Sequence, residues 1–346
     1  MRHTAITKPA VKNEELVVRN QFVNVSRALL LNLALFIGFS VTAQAQISGA
    51  GSTVVQPLLA AWATKFGATV PSLRFDGNGS QAGVKALQAG TVDFAGTEVP
   101  FTQPELERGG LAQVVLSADA LAVVVNLPGV ARVQISGLQL VDIFQGRTTN
   151  WAQVAQAGGS ALPSLPIVRH VRADGSGSTY VFSTYLSRSD KAWARGHASG
   201  MTVDWPAGAK GVESTAAMLE AVKKTPGAIG YAALGAAVRS GASLALISNA
   251  SGAYIKPSLQ GVQAALAAAT WNDQTGVVDV DGVTGRDSWP MTVVSYILFK
   301  KAAPSTKNLQ VFFGKALNVG DAEISALSYA PMPPAGKTRA KAQLGA

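Results

Sequence analysis

Cysteine is absent from the 346-residue chain. That single gap excludes disulfides, thiolate metal sites, a cysteine nucleophile and lipid attachment at an N-terminal cysteine. Histidine is almost absent too: only His3, His170 and His197 occur, with no His/Cys cluster, so neither a transition-metal site nor a metal cofactor is expected. Charge is sparse. Charged residues make up 14% and aromatic residues 7% of the sequence, and no Lys/Arg run concentrates its formal net charge of +9. The basic, aromatic-studded face of a nucleic-acid-binding protein is therefore missing, whereas a small anionic ligand suits the same balance. The apolar run "ALLLNLALFIGFSV" covers about 14 residues, short of the roughly 20 that span a bilayer.

That run lies between basic residues ending at Arg27 and the small-residue site "AQA" ending at Ala45. The order is that of a cleaved export signal, residues 1–45, which sends the remainder to a periplasm. About 300 residues are left, enough for two domains with separate cores.

What is present is a recurring unit. "GAGSTVVQPLLAAWATKF", "SLRFDGNGSQAGVKALQAG" and "LPIVRHVRADGSGSTYVFSTYLS" each read as strand, Gly-Ser-Thr loop and helix. Pro57 suits a first helical turn, and "ISGLQLVDIFQGRTTNWAQV" reads as a helix capped by Ser136 and followed by a loop. "LAQVVLSADALAVVVNLPG" reads as two strands separated by a turn, "DSWPMTVVSYILFK" as one strand, and "PMPPAGKTRAKAQLGA" as a loosely held basic tail. Alternating strands and helices predict α/β layers with largely parallel sheets. Trp62, Phe66, Trp193 and Phe312 are expected to pack, with His170 in a strand and His197 in a surface loop.

A helix start leaves backbone N–H groups unpaired and carries a partial positive charge, so it attracts anions. Glycine admits close backbone approach and Ser or Thr adds a hydroxyl. One such loop is an ordinary turn or cap. Three of them, at Ser52–Thr53, Gly79–Ser80 and Ser176–Thr179, together with Arg172, can surround a tetrahedral oxyanion. Nucleotide chemistry is disfavoured, because neither "GAGST" nor "DGSGST" has the lysine of a Walker loop and "GNGSQAG" lacks dinucleotide spacing.

These blocks, with "GTVDFAGTEVPFT", "ALAVVVNLPG", "TPGAIGY" and "SWPMT", closely resemble in order those of the periplasmic phosphate-binding proteins that feed high-affinity phosphate ABC importers, from about residue 48 to 313. The resemblance implies a class II periplasmic binding protein: two α/β domains, a hinge and a ligand cleft between them. Crossings are expected near Ser117–Ala120 and Trp289–Thr292, giving domain I over 46–118 plus 291–346 and domain II over 119–290. It also implies that Thr53 bonds phosphate through its hydroxyl and Val54 through its N–H. Ser80 donates from the second loop, Arg172 supplies charge, Asp174 orients it, and Ser176, Gly177 and Ser178 complete the helix-start donors. Ser178 stands where threonine is usual, and Val54 where an aromatic is common.

Glu98 is the larger departure, since the family places aspartate there. A carboxylate facing an anion repels it unless the anion brings a proton. Phosphate at neutral pH does and sulfate does not, and rejection by such an unpaired buried group reaches on the order of 10⁴ to 10⁵. Glu98 is therefore expected to accept the phosphate proton. The function implied is capture of inorganic phosphate by a monomer and delivery to a membrane permease, without covalent chemistry or cofactor. Two alternatives are an extracellular phosphatase using a loop serine, which needs a base within reach, and a phosphate-binding surface protein unconnected to transport.

Overall fold

The computed structural model describes residues 46–345 together with Met1. Met1 aside, the export signal expected over residues 1–45 lies outside the described residues. Among the described residues no helix is long and apolar enough to cross a membrane.

Ten strands form one mixed sheet: β1 (Gln46–Gly51), β2 (Ser72–Asp76), β3 (Phe94–Thr97), β4 (Leu111–Val125), β5 (Val168–Arg172), β6 (Lys210–Val212), β7 (Ala228–Ala233), β8 (Ser243–Leu244), β9 (Thr292–Lys300) and β10 (Ala330–Pro331). Their order is β2-β1-β3-β9-β4-β7-β5-β6, with β8 and β10 also paired to β4. At the two flanks β1 pairs in parallel with β2 and β3, and β5 with β6 and β7. The centre differs from the largely parallel sheet expected: β3–β9, β9–β4 and β4–β7 are all antiparallel.

The reason is β4, the one strand common to both flanks. From Leu111 to Ala120 it pairs with β9, and from Leu121 to Val125 with β7. At the change of partner, Leu121 donates its N–H to the Met291 carbonyl at 2.9 Å. This corrects the reading of two strands and a turn. Ser117 and Asp119 resemble turn residues, yet the strand runs unbroken and buried through both, because ladders on either side take up its backbone groups. Trp289 packs against this crossing. It is fully buried, its Nε1 donates to the Leu121 carbonyl at 3.1 Å and its own N–H reaches the Gly261 carbonyl at 2.9 Å. Trp289→Ala is expected to lower unfolding free energy by about 3–5 kcal/mol, measurable by urea denaturation.

The helices that matter for the site are α1 (Gln56–Phe66), α2 (Ser80–Ala89), α3 (Gly137–Phe144), α4 (Gly177–Ser189), α5 (Thr215–Lys224), α6 (Thr306–Val319) and α7 (Pro334–Leu344). Pro57 lies in the first turn of α1, and Ser136 caps α3 by accepting from the Gln139 N–H. Trp62, Phe66, Trp193 and Phe312 are buried as expected. Phe66 packs edge-on against Phe312, while Phe182 stacks on Tyr231 with ring centroids 4.5 Å apart.

The expected loose basic tail is the helix α7, docked on the domain. Gly336, Ala340 and Leu344 fall four residues apart on one buried face. Lys337 pairs with Asp321, Arg339 lies over the Trp271 ring, and the Leu344 carbonyl accepts from Gln310 Nε2 at 3.0 Å. Its basic residues Lys337, Arg339 and Lys341 are half-buried, and the composition reads as a solvated tail because it does not show their partners.

Candidate functional site

Three loops meet at the carboxyl ends of β1, β2 and β5, each just before or at a helix start. Backbone bonds tie them in sequence. Gly79 N–H donates to the Gly51 carbonyl at 2.8 Å, joining the first loop to the second, and Gln81 N–H donates to the Gly175 carbonyl at 3.0 Å, joining the second to the third. Gly79 has φ of 99° and a Cβ there would stand 2.8 Å from Asp174 Oδ2, so glycine is required both by the backbone and by the neighbour.

Glu98 follows β3 and is only 3% exposed at the centre of this meeting point. Its Oε1 accepts from the Ser52 hydroxyl and its Oε2 from the Ser80 hydroxyl at 2.9 Å. The carboxylate rests on the start of α4: a Cβ on Gly177 would come within 1.9 Å of Oε2. Burial pushes the Glu98 carboxyl above its ordinary range, and the two hydroxyls and the Arg172 charge oppose that push.

Arg172 ends β5 with 3% exposure. Its guanidinium forks onto Asp174, with Nε to Oδ1 at 2.6 Å and a second bond to Oδ2. Asp174 thereby fixes the plane of the fork. Behind it, the Arg172 N–H donates to Tyr231 Oη at 3.1 Å, and the same oxygen lies 2.8 Å from Thr179 Oγ1 on α4. Full burial pushes the Tyr231 phenol up to about 12, so it stays neutral and clamps strand to helix.

The remaining expected site residues lie in the same three loops. Thr53 Oγ1 is 2.9 Å from Thr215 Oγ1 at the start of α5, and Val54 N–H donates to Ser52 Oγ at 3.0 Å. Ser176 caps α4 by accepting from the Ser178 N–H at 3.2 Å. Ser178 is 2% exposed and its hydroxyl has no hydrogen-bond partner among the described residues. A buried hydroxyl at a helix start that has no partner calls for one. Ser52 as a carboxylate donor, Thr215 and Tyr231 were not singled out from the sequence. Tyr231 sits inside the quoted "TPGAIGY", whereas nothing near Thr215 marks it.

Neither histidine takes part. His170 is buried in β5, neither ring nitrogen has a hydrogen-bond partner among the described residues, and its pKa is lowered by burial first and by Lys210 second. His197 follows a short helix and packs on Trp193. Among the described residues no group of three or more His, Cys, Asp or Glu side chains is placed to hold a metal ion.

Asp119 lies on β4 next to the change of partner. Its Oδ1 accepts from the Ala120 N–H at 2.7 Å, and its buried Oδ2 is unpartnered among the described residues. Burial raises its carboxyl well above the usual range. The native state thus binds this proton more tightly than the unfolded chain, and stability falls as pH rises from the ordinary carboxylate range through the native value. Asp119→Asn is expected to flatten that slope and raise Tm at neutral pH, as thermal melts from about pH 4 to 8 would report.

The sheet crossed by a shared strand, with a polar site at the meeting of three loops, defines a two-domain α/β binding protein of class II. A family model described as a PBP superfamily domain matches residues 40–313. The phosphate-binding protein PstS of Xylella fastidiosa is 32% identical over 85% of this chain and 83% of its own length. That of Pasteurella multocida is 33% identical over 89% and 92%. The solved phosphate-binding protein of Stenotrophomonas maltophilia superposes with a TM-score of 0.64 at 20% identity, covering 86% of this chain and 93% of that one. The chain belongs to the PstS family.

Proposed function

We propose that this protein is the periplasmic receptor of a phosphate ABC importer. It captures inorganic phosphate as a monomer and hands it to a membrane permease, with no covalent chemistry. The observation that carries this reading is the convergence of three loops on a buried, Asp174-oriented Arg172 and an unpartnered Ser178 hydroxyl. Phosphate is held by the Thr53 hydroxyl, the Val54 N–H, Ser80, Arg172 and the α4 start at Ser176, Gly177 and Ser178. Glu98 accepts the proton that phosphate keeps and sulfate lacks. Residues 1–45 export the chain and are cleaved.

Domain I comprises 46–118 and 291–346, and domain II 119–290. The change of β4 partner between Ala120 and Leu121, and the start of β9 at Thr292, support a boundary there. Hinge motion about these crossings opens and closes the cleft.

Calorimetric titration of the mature, ligand-stripped protein from about pH 5 to 9 tests the reading, with phosphate expected to bind at micromolar or tighter Kd and sulfate undetectably. Equal binding of the two anions overturns the role of Glu98. Binding of neither overturns the function.

A further inference from the structure

We propose that Glu98 is a tethered competitor for its own anion site, an inference that rests on the phosphate reading above. Its carboxylate holds the donors that an incoming phosphate has to win.

The hydrogen bonds show how the donors are spent. Ser80 Oγ gives its proton to Glu98 and accepts the Gly177 N–H at 3.2 Å. Ser52 Oγ likewise gives its proton to Glu98 and accepts the Val54 N–H at 3.0 Å. The Ser80 hydroxyl and the Val54 and Gly177 N–H groups, three of the donors assigned to phosphate, thus all feed one carboxylate. The same carboxylate lies against the α4 start, whose positive end attracts an anion's oxygen, and Arg172 supplies its positive charge.

Glutamate is what makes this possible. Its extra carbon–carbon bond adds about 1.5 Å to the reach of an aspartate, enough to turn an acid that faces the ligand into one that sits among the ligand's donors. Displaced from the hydroxyls, the carboxylate turns to meet the proton that phosphate carries. Glu98 also borders a cavity of about 280 Å³ lined by Tyr180, Thr184, Thr292 and the acids Asp279 and Asp281, which leaves its side chain room to shift. Phosphate binding and Glu98 seating on the hydroxyls then exclude each other, and the apparent Kd exceeds the intrinsic one by the factor 1/f, where f is the fraction of time the donors are free.

Calorimetric phosphate titrations of the mature protein and of Glu98→Asp decide the matter. Competition predicts that Glu98→Asp binds phosphate about tenfold more tightly, as it would if Glu98 held the donors about nine-tenths of the time. It also predicts a lower Tm without phosphate and a larger Tm increase on adding it, because the shorter acid no longer bridges the serines. An unchanged or weakened affinity in a variant whose parent binds phosphate overturns the proposal and leaves the phosphate reading intact. Absence of phosphate binding in parent and variant alike sinks the phosphate reading, and the proposal with it. Should Glu98→Asp fail to fold, Ser52→Ala decides by the same criterion: it removes one anchor of the carboxylate and frees the Val54 N–H, so competition again predicts tighter binding.

Discussion

Arg172→Ala is expected to weaken phosphate binding by at least about thirtyfold. Two effects add. The anion loses the buried cation facing it, and Asp174, now without its guanidinium, is left as an unpaired acid beside the anion site. Truncating one member of a buried, hydrogen-bonded charge pair costs about 2–5 kcal/mol, about 30- to 4,000-fold in Kd. Arg172→Lys should recover only part of the loss, because an ammonium cannot reproduce the fork that meets both Asp174 oxygens. Titration calorimetry reads both variants, with circular dichroism to establish that they are folded. A loss of less than about tenfold, under 1.4 kcal/mol, would remove Arg172 from the anion site.

The second large effect is expected at Gly177. A methyl group there meets Glu98 Oε2 at 1.9 Å and Glu98 Cβ at 2.8 Å. The first contact can be relieved by moving a flexible carboxylate, but the second involves an atom fixed to the backbone. Gly177→Ala therefore forces the α4 start away from Glu98 and from the Ser80 hydroxyl. Overpacking of this kind costs about 1–3 kcal/mol, and because the strain falls where the loops close on the ligand, phosphate affinity should drop by at least about tenfold with it. The double variant Glu98→Ala/Gly177→Ala keeps the Cβ contact and loses only the carboxylate one, so it should recover part of the lost stability. Melts of the two singles and the double form a cycle that measures the coupling; strictly additive losses would mean that the two residues do not share the space.

Much of the fold was legible because much of it is local. Helix caps, the proline in the first turn of α1 and the strand–loop–helix rhythm depend on residues three or four positions apart, and the sequence shows them directly. The basic tail and the divided strand were misread for a shared reason. Whether Lys and Arg on α7 coat a docked helix or a solvated tail depends on what Gly336, Ala340 and Leu344 find to pack against. Ser117 and Asp119 stay extended because strands from distant parts of the chain pair on both sides of β4. Local propensity cannot report either neighbour.

The candidate site divides along the same line. Arg172 and Asp174 are two residues apart, and the resemblance of "VRADGSGSTYVF" to the family's block was enough to imply their pairing, just as the absence of cysteine by itself excluded thiol chemistry. Where the loops meet is different. Ser80 lies 97 residues from the Gly177 whose N–H it accepts, Ser52 lies 46 residues from Glu98, and Thr53 lies 162 residues from Thr215. Only the tertiary structure decided that Glu98 sits among the serine hydroxyls. The outcome depends on one added methylene and on the distance between two loops set by a sheet whose strands come from both halves of the chain.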